Sequence, residues 1–557
     1  ISAMGQWYTI TIKTGGHIIE LRDSLKLLPF SVKKIGESFH TKHQKLEMEY
    51  KGFRYAGCKI TDEEKEYIAN DVLVVKEALE MMFNDGHKRL TIGSCCLAEY
   101  KEICRRSTSN MLDYDEMFPD LTTIKIDSAI YGSENVDQYI RKSYKGGWCY
   151  LVEGKENQLK GKGTTADVNS LYPSMMHSES GNRYPVGVPT FWQGNFIPDE
   201  AKRDNCYYFV RIKTRFRIKE GKLPFIQIKH SYLYKATEML KTSDVYDPIS
   251  DKYVEYWVQE DGTLESTAVE LTLTMTDYQL ILEHYDLMDC EILDGCWFWS
   301  SIGIFDEYID FWAEIKKNST GAKREEAKLF LNNLYGKMAS STDSSYKVAY
   351  LKEDGVVGFK QVKANEKNAG YIAVGSAITS YARNFTIRAA QMNYYGVDKR
   401  GFIYADTDSI HCDLEPEEIK GIKVHDKNFC CWKLEACWDK AIFVRQKTYI
   451  EHVTHENLIP VEELKEPKKP YHNIKCAGMP KRCKDLFEMS LDGTAKHDND
   501  VKRTPEELRF LFKDNGKGKP IIRTYNDFKV GLIVPGKLLP KRIKGGILLK
   551  ETTYEMR

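Results

Sequence analysis

Tyr404-Ala405-Asp406-Thr407-Asp408-Ser409 is the stretch on which the reading of this 557-residue chain turns. It lies between Gly401-Phe402-Ile403 and Ile410-His411-Cys412. Strand-forming residues on both sides of two carboxylates predict a strand or the tip of a hairpin. With a side-chain period of two, Asp406 and Asp408 project from one face. Carboxylates held that close repel, and each titrates abnormally unless a cation sits between them. A hard divalent ion such as Mg2+ suits the pair, because it prefers oxygen ligands and keeps waters for a phosphate group. The hexapeptide alone fits a polar turn equally well. The choice rests on what surrounds it.

Upstream stands Thr165-Ala166-Asp167-Val168-Asn169-Ser170-Leu171-Tyr172-Pro173-Ser174-Met175-Met176. Ala166 to Val168 reads as the end of a buried strand, and Ser170 to Met176 as a turn entering a helix. A carboxylate at that junction, followed by helix N–H groups, can hold a metal and a triphosphate together. The alternative is a plain helix cap at Asp167 or Ser170. From Phe311 to Ala339 the pattern is helical, with Ala327, Phe330, Leu331, Leu334 and Met338 as a core-facing stripe. Lys328, Asn332 and Tyr335 fall on another face, with Lys316 and Arg324 upstream. Cation, amide and aromatic on one stripe suit the phosphate, sugar and base of a nucleotide, although a solvated helix face looks the same. Downstream, Arg445-Gln446-Lys447-Thr448-Tyr449-Ile450 alternates, which places Lys447 and Tyr449 on one side.

Elsewhere the chain is read more coarsely. Trp7 to Ile12 alternates like a strand, and Thr61-Asp62-Glu63-Glu64 is a capping box opening a helix that sets Tyr67 and Asp71 four apart. Tyr144-Lys145-Gly146-Gly147-Trp148 suits a loop on which a nucleic-acid strand stacks and slides, or an ordinary glycine turn. Residues 180 to about 300 alternate strand-like pieces with basic loops carrying Arg215, Arg217, Lys219 and Lys222. Asp354-Gly355 between alternating runs predicts a hairpin within 341–372. Thr504-Pro505-Glu506-Glu507 predicts a short helix to Gly516. Lys537 to Lys550 carries Lys537, Lys541, Arg542, Lys544 and Lys550 and no acidic residue, in a glycine-bearing basic loop.

The length requires several domains. Lys plus Arg and Asp plus Glu both number 81, so a nucleic-acid contact must come from local basic patches rather than from overall charge. No 18-residue uncharged apolar run and no signal peptide is present, which argues against membrane or secreted classes. The 14 cysteines show no CxxC spacing and read as free thiols of a reducing compartment.

Taken in order, Asp-x-x-Ser-Leu-Tyr-Pro-Ser (167–174), Lys-x-x-x-Asn-x-x-Tyr-Gly (328–336), Tyr-x-Asp-Thr-Asp-Ser (404–409) and Lys-x-Tyr (447–449) resemble the family B DNA polymerases. The insertions between these motifs resemble the protein-primed phage branch of that family. The resemblance covers nearly the whole chain and is supported by Tyr144 to Gly147, Ile474 to Met479 and the hairpin at 341–372.

It implies a mixed α/β and α+β multidomain fold, a right hand of palm, fingers and thumb preceded by a ribonuclease H-like 3′–5′ exonuclease domain. The implied division is 1–110 partial exonuclease, 111–180 linker and first part of the palm, 181–303 terminal-protein region 1, and 304–340 fingers. Then follow 341–372 terminal-protein region 2, 373–476 second part of the palm, and 477–557 thumb. Catalysis would fall to Asp167, Asp406 and Asp408, with two Mg2+ ions (Mn2+ able to substitute) on Asp167, Val168 and Asp408. Ser170, Leu171, Tyr172, Lys316, Lys328, Asn332 and Tyr335 would bind the nucleotide. Tyr144, Gly146, Gly147, Lys447, Tyr449, Ser24 and Leu25 would contact DNA.

Lys45, Tyr67 and Asp71 resemble the last part of the exonuclease site, whose earlier carboxylate motifs have no counterpart after Ile1. The expectation is a fragment that polymerises without proofreading. Implied partners are template-primer DNA, dNTPs and a terminal protein, with no membrane, for a monomer of viral or plasmid origin in the host cell cytoplasm. A reverse transcriptase is the first rival, but its paired aspartates are adjacent, whereas Thr407 separates Asp406 from Asp408. An inactive DNA- or terminal-protein-binding remnant is the second, and intact carboxylates at 167, 406 and 408 argue against it.

Overall fold

The computed structural model describes residues 8–48, 53–55, 57–107, 113–228, 238–341, 345–355, 357–363, 369–492, 512–514, 520–543 and 546–556. The chain divides into two compact units. The first comprises Ile1–Met48, Thr61–Gly146 and Ser170–Asn384, the second Glu49–Ile60, Gly147–Asn169 and Phe385–Arg557. No helix among the described residues is long and apolar enough to cross a membrane.

In the first unit, Thr61 caps the helix Asp62–Asn84 as its sequence predicts. Its hydroxyl accepts from Glu64 N while Glu64 accepts from Thr61 N. A four-stranded antiparallel sheet orders Val269–Thr274, Cys206–Ile218, Tyr285–Ser301 and Tyr184–Gln193. Arg215 and Arg217 therefore sit in a strand, not in loops. Arg215 pairs with Asp289 at 2.9 Å and Arg217 with Asp244 at 3.0 Å, so much of their charge is spent inside this module.

The helical pattern from 311 onward resolves into two helices, Asp306–Asn318 and Gly321–Met338, rather than one. The break comes at Ser319 and Thr320, both extended, followed by Gly321 at φ +58°. A backbone in that region is easy only for glycine. The predicted stripe Ala327, Phe330, Leu331, Leu334 and Met338 is buried, and Trp312 stacks on Phe330 at 4.1 Å. Ser345–Leu351 and Val357–Lys363 form the expected antiparallel hairpin, with Gly355 at φ +76° in the turn.

The second unit is built on a nine-stranded sheet. Its path runs Ile459–Pro460, Thr448–Glu456, Trp432–Arg445, Gly163–Val168, Ser409–Cys412, Phe402–Asp406, Cys149–Leu151. Off this path, Tyr471–Cys476 adds to Thr448–Glu456 and Leu159–Lys160 to Trp432–Arg445. A core of Ile442, Val444, Ile450, Ile474, Phe487, Phe528, Val534 and Met556 joins this sheet to the helix Lys481–Leu491 and to the C-terminal strands. The described part of the basic segment after Lys537 is not a loop: it lies in the antiparallel strands Ile533–Ile543 and Gly546–Glu555, Phe53–Tyr55 pairs with the latter, and residues 544–545 lie outside the described residues. Of the helix expected at 504–516, residues 504–511, 515 and 516 lie outside the described residues, and Phe512–Asp514 is a strand.

Candidate active site

Three strands of the second unit bring the carboxylates together by register. Lys433 pairs with Asp167, Asp167 with Ser409, Ser409 with Asp406, and Asp406 with Cys149, so these residues form one row across the sheet. The paired-aspartate stretch is the tip of a hairpin. Phe402–Asp406 ends at the first carboxylate, Ser409–Cys412 begins after the second, and Thr407 turns between them at φ +63°. Strand alternation therefore does not run through Asp408. The tight turn, with Asp408 N donating to Asp406 O at 2.7 Å, sets both carboxylates on one cavity.

The tip is pinned from outside. Thr407 N donates to Trp148 O at 2.8 Å, Thr386 Oγ1 donates to Thr407 O at 2.8 Å, and Val168 N donates to Asp408 O at 2.8 Å. Gly147 is needed for this packing, because a Cβ there would lie 2.5 Å from Thr407 Oγ1.

The cavity, of about 860 Å3, is lined by Asp167, Asp406, Asp408, Lys433, Lys447 and Tyr449 among others. Burial, then the like charges of Asp408 and Glu435, push Asp167 up to about 7. Asp408 is also raised, first by burial and then by Asp406 and Glu435. Lys447 Nζ pairs with Asp406 at 2.7 Å and Lys433 Nζ with Asp167 at 3.5 Å. Burial would lower both lysines, but their carboxylate partners more than reverse that, so both stay firmly charged. Even with Lys433 and Lys447 paired to the row, Asp167 is held partly protonated near neutral pH. An oxygen-lined cavity with that surplus of negative charge fits a hard divalent cation.

Beneath the row lies a network that sequence reading missed. His411 Nδ1 meets Glu451 Oε1 at 2.6 Å, Thr165 Oγ1 donates to it at 2.7 Å, and Asn473 Nδ2 donates to Glu451 Oε2 at 3.1 Å. The His411 and Glu451 side chains are each 1% exposed. Burial pushes Glu451 up, yet His411, Thr165 and Asn473 together hold it below the usual carboxylate range. The one sequence signal was an acidic residue two after Tyr449 in an alternating strand. Lys433 was missed as well, because its pairing with Asp167 is set by register across the sheet.

The first unit gathers the other predicted residues. Ser170 takes a left-handed backbone, φ 51°, ahead of the helix Leu171–Met176. Its hydroxyl accepts from Lys316 Nζ at 3.1 Å. Tyr172 stacks on Tyr335 at 3.9 Å and 18°, and Tyr144 lies near enough to raise the Tyr172 hydroxyl further, after burial and Tyr335. Lys328 pairs with Glu325, and Asn332 is exposed on the same helix. The Leu171 side chain is buried. Arg383, itself buried, donates to Lys145 O at 2.7 Å and Gly146 O at 2.9 Å and pairs with Asp277 at 2.5 Å, which fixes the 144–146 loop.

The family model described as DNA polymerase type B, organellar and viral, matches residues 53–423. The chain belongs to this family. DNA polymerases of Bacillus phage Nf, Bacillus phage phi29 and Streptococcus phage Cp-1 are similar along its whole length, at 35%, 34% and 31% identity. The chain spans 84%, 84% and 82% of their lengths. Among solved structures, phi29 DNA polymerase complexed with primer-template DNA and incoming nucleotide substrates matches with a TM-score of 0.75 at 34% identity, over 100% of this chain and 84% of that one. The protein is thus a DNA-directed DNA polymerase of the protein-primed family B branch, and membership carries dependence on a divalent metal.

Near its N-terminus the polymerase also assembles the predicted Lys45 cluster. Lys45 Nζ donates to Tyr67 Oη at 2.6 Å and meets Asp71 at 2.8 Å. Among the described residues no group of three His, Cys, Asp or Glu ligands includes Asp71. Ser24 opens a short 3-10 turn, capped by the Asp23 carboxylate, that leaves Leu25 exposed.

Proposed function

We propose that the polymerase extends a primer 3′-OH by in-line attack on the α-phosphate of a dNTP, releasing pyrophosphate, with Asp167, Asp406 and Asp408 as the catalytic carboxylates. The observation that carries this reading is the row Lys433–Asp167–Ser409–Asp406 with Asp408 at the adjoining tip. Asp167, Asp408 and the Val168 carbonyl would hold two Mg2+, or Mn2+, whose chemistry is to acidify the 3′-OH and neutralise the leaving charge. Asp406, tied to Lys447, keeps that lysine at the mouth of the cavity, where Lys447 and Tyr449 hold the primer end. Lys316, on the Ser170 hydroxyl, and Lys328 grip the triphosphate. The stacked pair Tyr172 and Tyr335 forms the floor under sugar and base, where a 2′-OH meets the Tyr172 ring. Asn332 adds an exposed amide beside them.

Template-primer DNA and dNTPs are the substrates of this reading, in line with the primer-template and nucleotide bound to the phi29 enzyme. Tyr144, Gly146 and Gly147 would line the path of a DNA strand, and Ser24 and Leu25 would meet a single-stranded end. Residues 181–303 and 341–372 would engage a terminal protein and support strand displacement. The four-stranded sheet and the 345–363 hairpin give each region a body of its own. Palm (111–180 and 373–476), fingers (304–340) and thumb (477–557) follow the same assignment, for a phage-encoded monomer acting in the host cytoplasm. Lys45, Tyr67 and Asp71 (within 1–110) would belong to a 3′–5′ exonuclease site, of which they supply one carboxylate among the described residues. Primer extension on matched DNA and RNA templates tests the central reading. dNTP addition on DNA and little on RNA is expected. Preference for RNA would favour a reverse transcriptase, and no extension on either an inactive remnant.

A further inference from the structure

Away from the carboxylate row, the second unit holds another set of ligand-type side chains. His472 on the strand Tyr471–Cys476 faces Glu488 and Asp492, one turn apart at the end of the helix Lys481–Leu491. One ligand atom from each of the three lies within 4.8 Å of the others. The His472 side chain is 5% exposed. Its Nε2 is hydrogen-bonded to Tyr525 Oη at 2.8 Å. Its Nδ1 is 2.8 Å from Asp492 Oδ1, but no hydrogen bond of acceptable geometry forms there, which leaves a buried nitrogen aimed into the cluster. Glu488 Oε1 is used by His472 N at 3.1 Å, so its second oxygen remains available.

Among the described residues no lysine or arginine forms an ion pair with Glu488 or Asp492. The carbonyl end of a helix favours positive side chains. Here the last turn has no basic residue, and Glu488 and Asp492 sit there instead. Burial, then the charges of Asp492 and Asp485, raise Glu488, while burial lowers His472 despite Asp492 beside it. His452 stacks on His472 at 4.7 Å with its own Nδ1 on Asp439 at 2.6 Å, and its charge offsets only part of the rise of Glu488.

We propose that His472 Nδ1, Glu488 and Asp492 form a structural binding site for one divalent transition-metal ion, Zn2+ by preference. One imidazole with two carboxylates suits a borderline cation, whereas Mg2+ and Ca2+ favour all-oxygen sites. Three protein ligands and a water complete a four-coordinate shell. The Tyr525 hydroxyl on Nε2 plays the orienting part that a metal-bound histidine needs, fixing the tautomer that leaves Nδ1 bare. The bound ion staples the strand to the helix, and through Tyr525 to the segment that leads into the C-terminal strands.

The test is Zn2+ binding to the full chain, measured by competition with a chromogenic chelator with Mg2+ in large excess to occupy the carboxylate row. Wild type should take up one equivalent. Glu488→Gln and Asp492→Asn should take up none, or bind about 10- to 100-fold more weakly, while Asp485→Asn behaves as wild type. Co2+ added in place of Zn2+ should give visible absorption bands with wild type that Asp492→Asn lacks. Zn2+ should raise the melting temperature of wild type but not of Asp492→Asn, whose metal-free melting stays close to wild type because Asp492 is at the surface. Equal Zn2+ uptake by wild type and both variants, or none by wild type, would overturn the proposal.

Discussion

At the residue scale, the proposed chemistry rests on charges that a folded chain alone does not neutralise. Asp167, raised to about 7 by burial and its acidic neighbours, keeps a proton that the unfolded carboxyl has already lost above its ordinary range. The sign follows: metal-free protein loses stability as pH rises from about 4 to 7, and ion binding must expel that proton. Calorimetric Mg2+ titrations at pH 6.5, in buffers of different ionisation enthalpy, should therefore show proton release, with affinity falling as pH drops further. Asp167→Asn should release none; identical release by the variant would place the proton elsewhere. Tyr172 gives the second residue-scale prediction. Its ring lies flat against Tyr335, so Tyr172→Val opens the space where a 2′-OH would fall. Discrimination between dNTP and NTP should drop roughly 10- to 100-fold, a range typical of steric pockets, with dNTP use largely kept. Unchanged selectivity in single-nucleotide incorporation would remove the steric role.

At the element scale, the decisive feature is the hairpin tip at Thr407 and the glycine beneath it. Gly147→Ala would drive a methyl into Thr407, an overpacking worth about 1–3 kcal/mol, and should displace the tip and cut extension sharply. Thr407→Gly in the same chain removes the clashing atoms at a position whose φ of +63° suits glycine, and should recover much of the rate. Failure of that rescue, measured by primer extension, would mean that Gly147 acts on DNA rather than on the tip. Elements were legible from sequence where local chemistry fixed them. The capping box at Thr61, the Asp354-Gly355 turn and the strand-to-helix junction after Asp167 are of this kind. They were not legible where the outcome depended on partners far along the chain. Lys433 reaches Asp167 only because strands some 260 residues apart pair in one register. The break after Asn318 sits inside an uninterrupted apolar pattern, and only the glycine at 321 hinted at it. The left-handed Thr407 had no signal at all, since a β-branched residue is a poor choice for that backbone.

At the scale of the whole molecule, the order of motifs carried the family, and the two compact units carry different parts of the proposed chemistry. Carboxylates, Lys447 and Tyr449 stand in one, and the tyrosine pair and triphosphate lysines in the other. Proofreading is the activity for which the described residues offer least. A two-metal exonuclease needs several carboxylates, and among the described residues Asp71 has Lys45 and Tyr67 for company instead. A 5′-labelled single strand incubated with Mg2+ and no dNTP should therefore stay intact; trimming lost in Asp71→Ala would reveal a complete site. The central claim is that the carboxylate row does chemistry rather than hold the fold. It is tested most directly by single-turnover addition of one dNTP to a primer-template by Asp408→Asn, with DNA affinity and melting temperature measured on the same preparation. The account predicts a rate lower by roughly a thousand-fold or more, with binding and melting nearly unchanged. A variant that adds the nucleotide at the wild-type rate would contradict it.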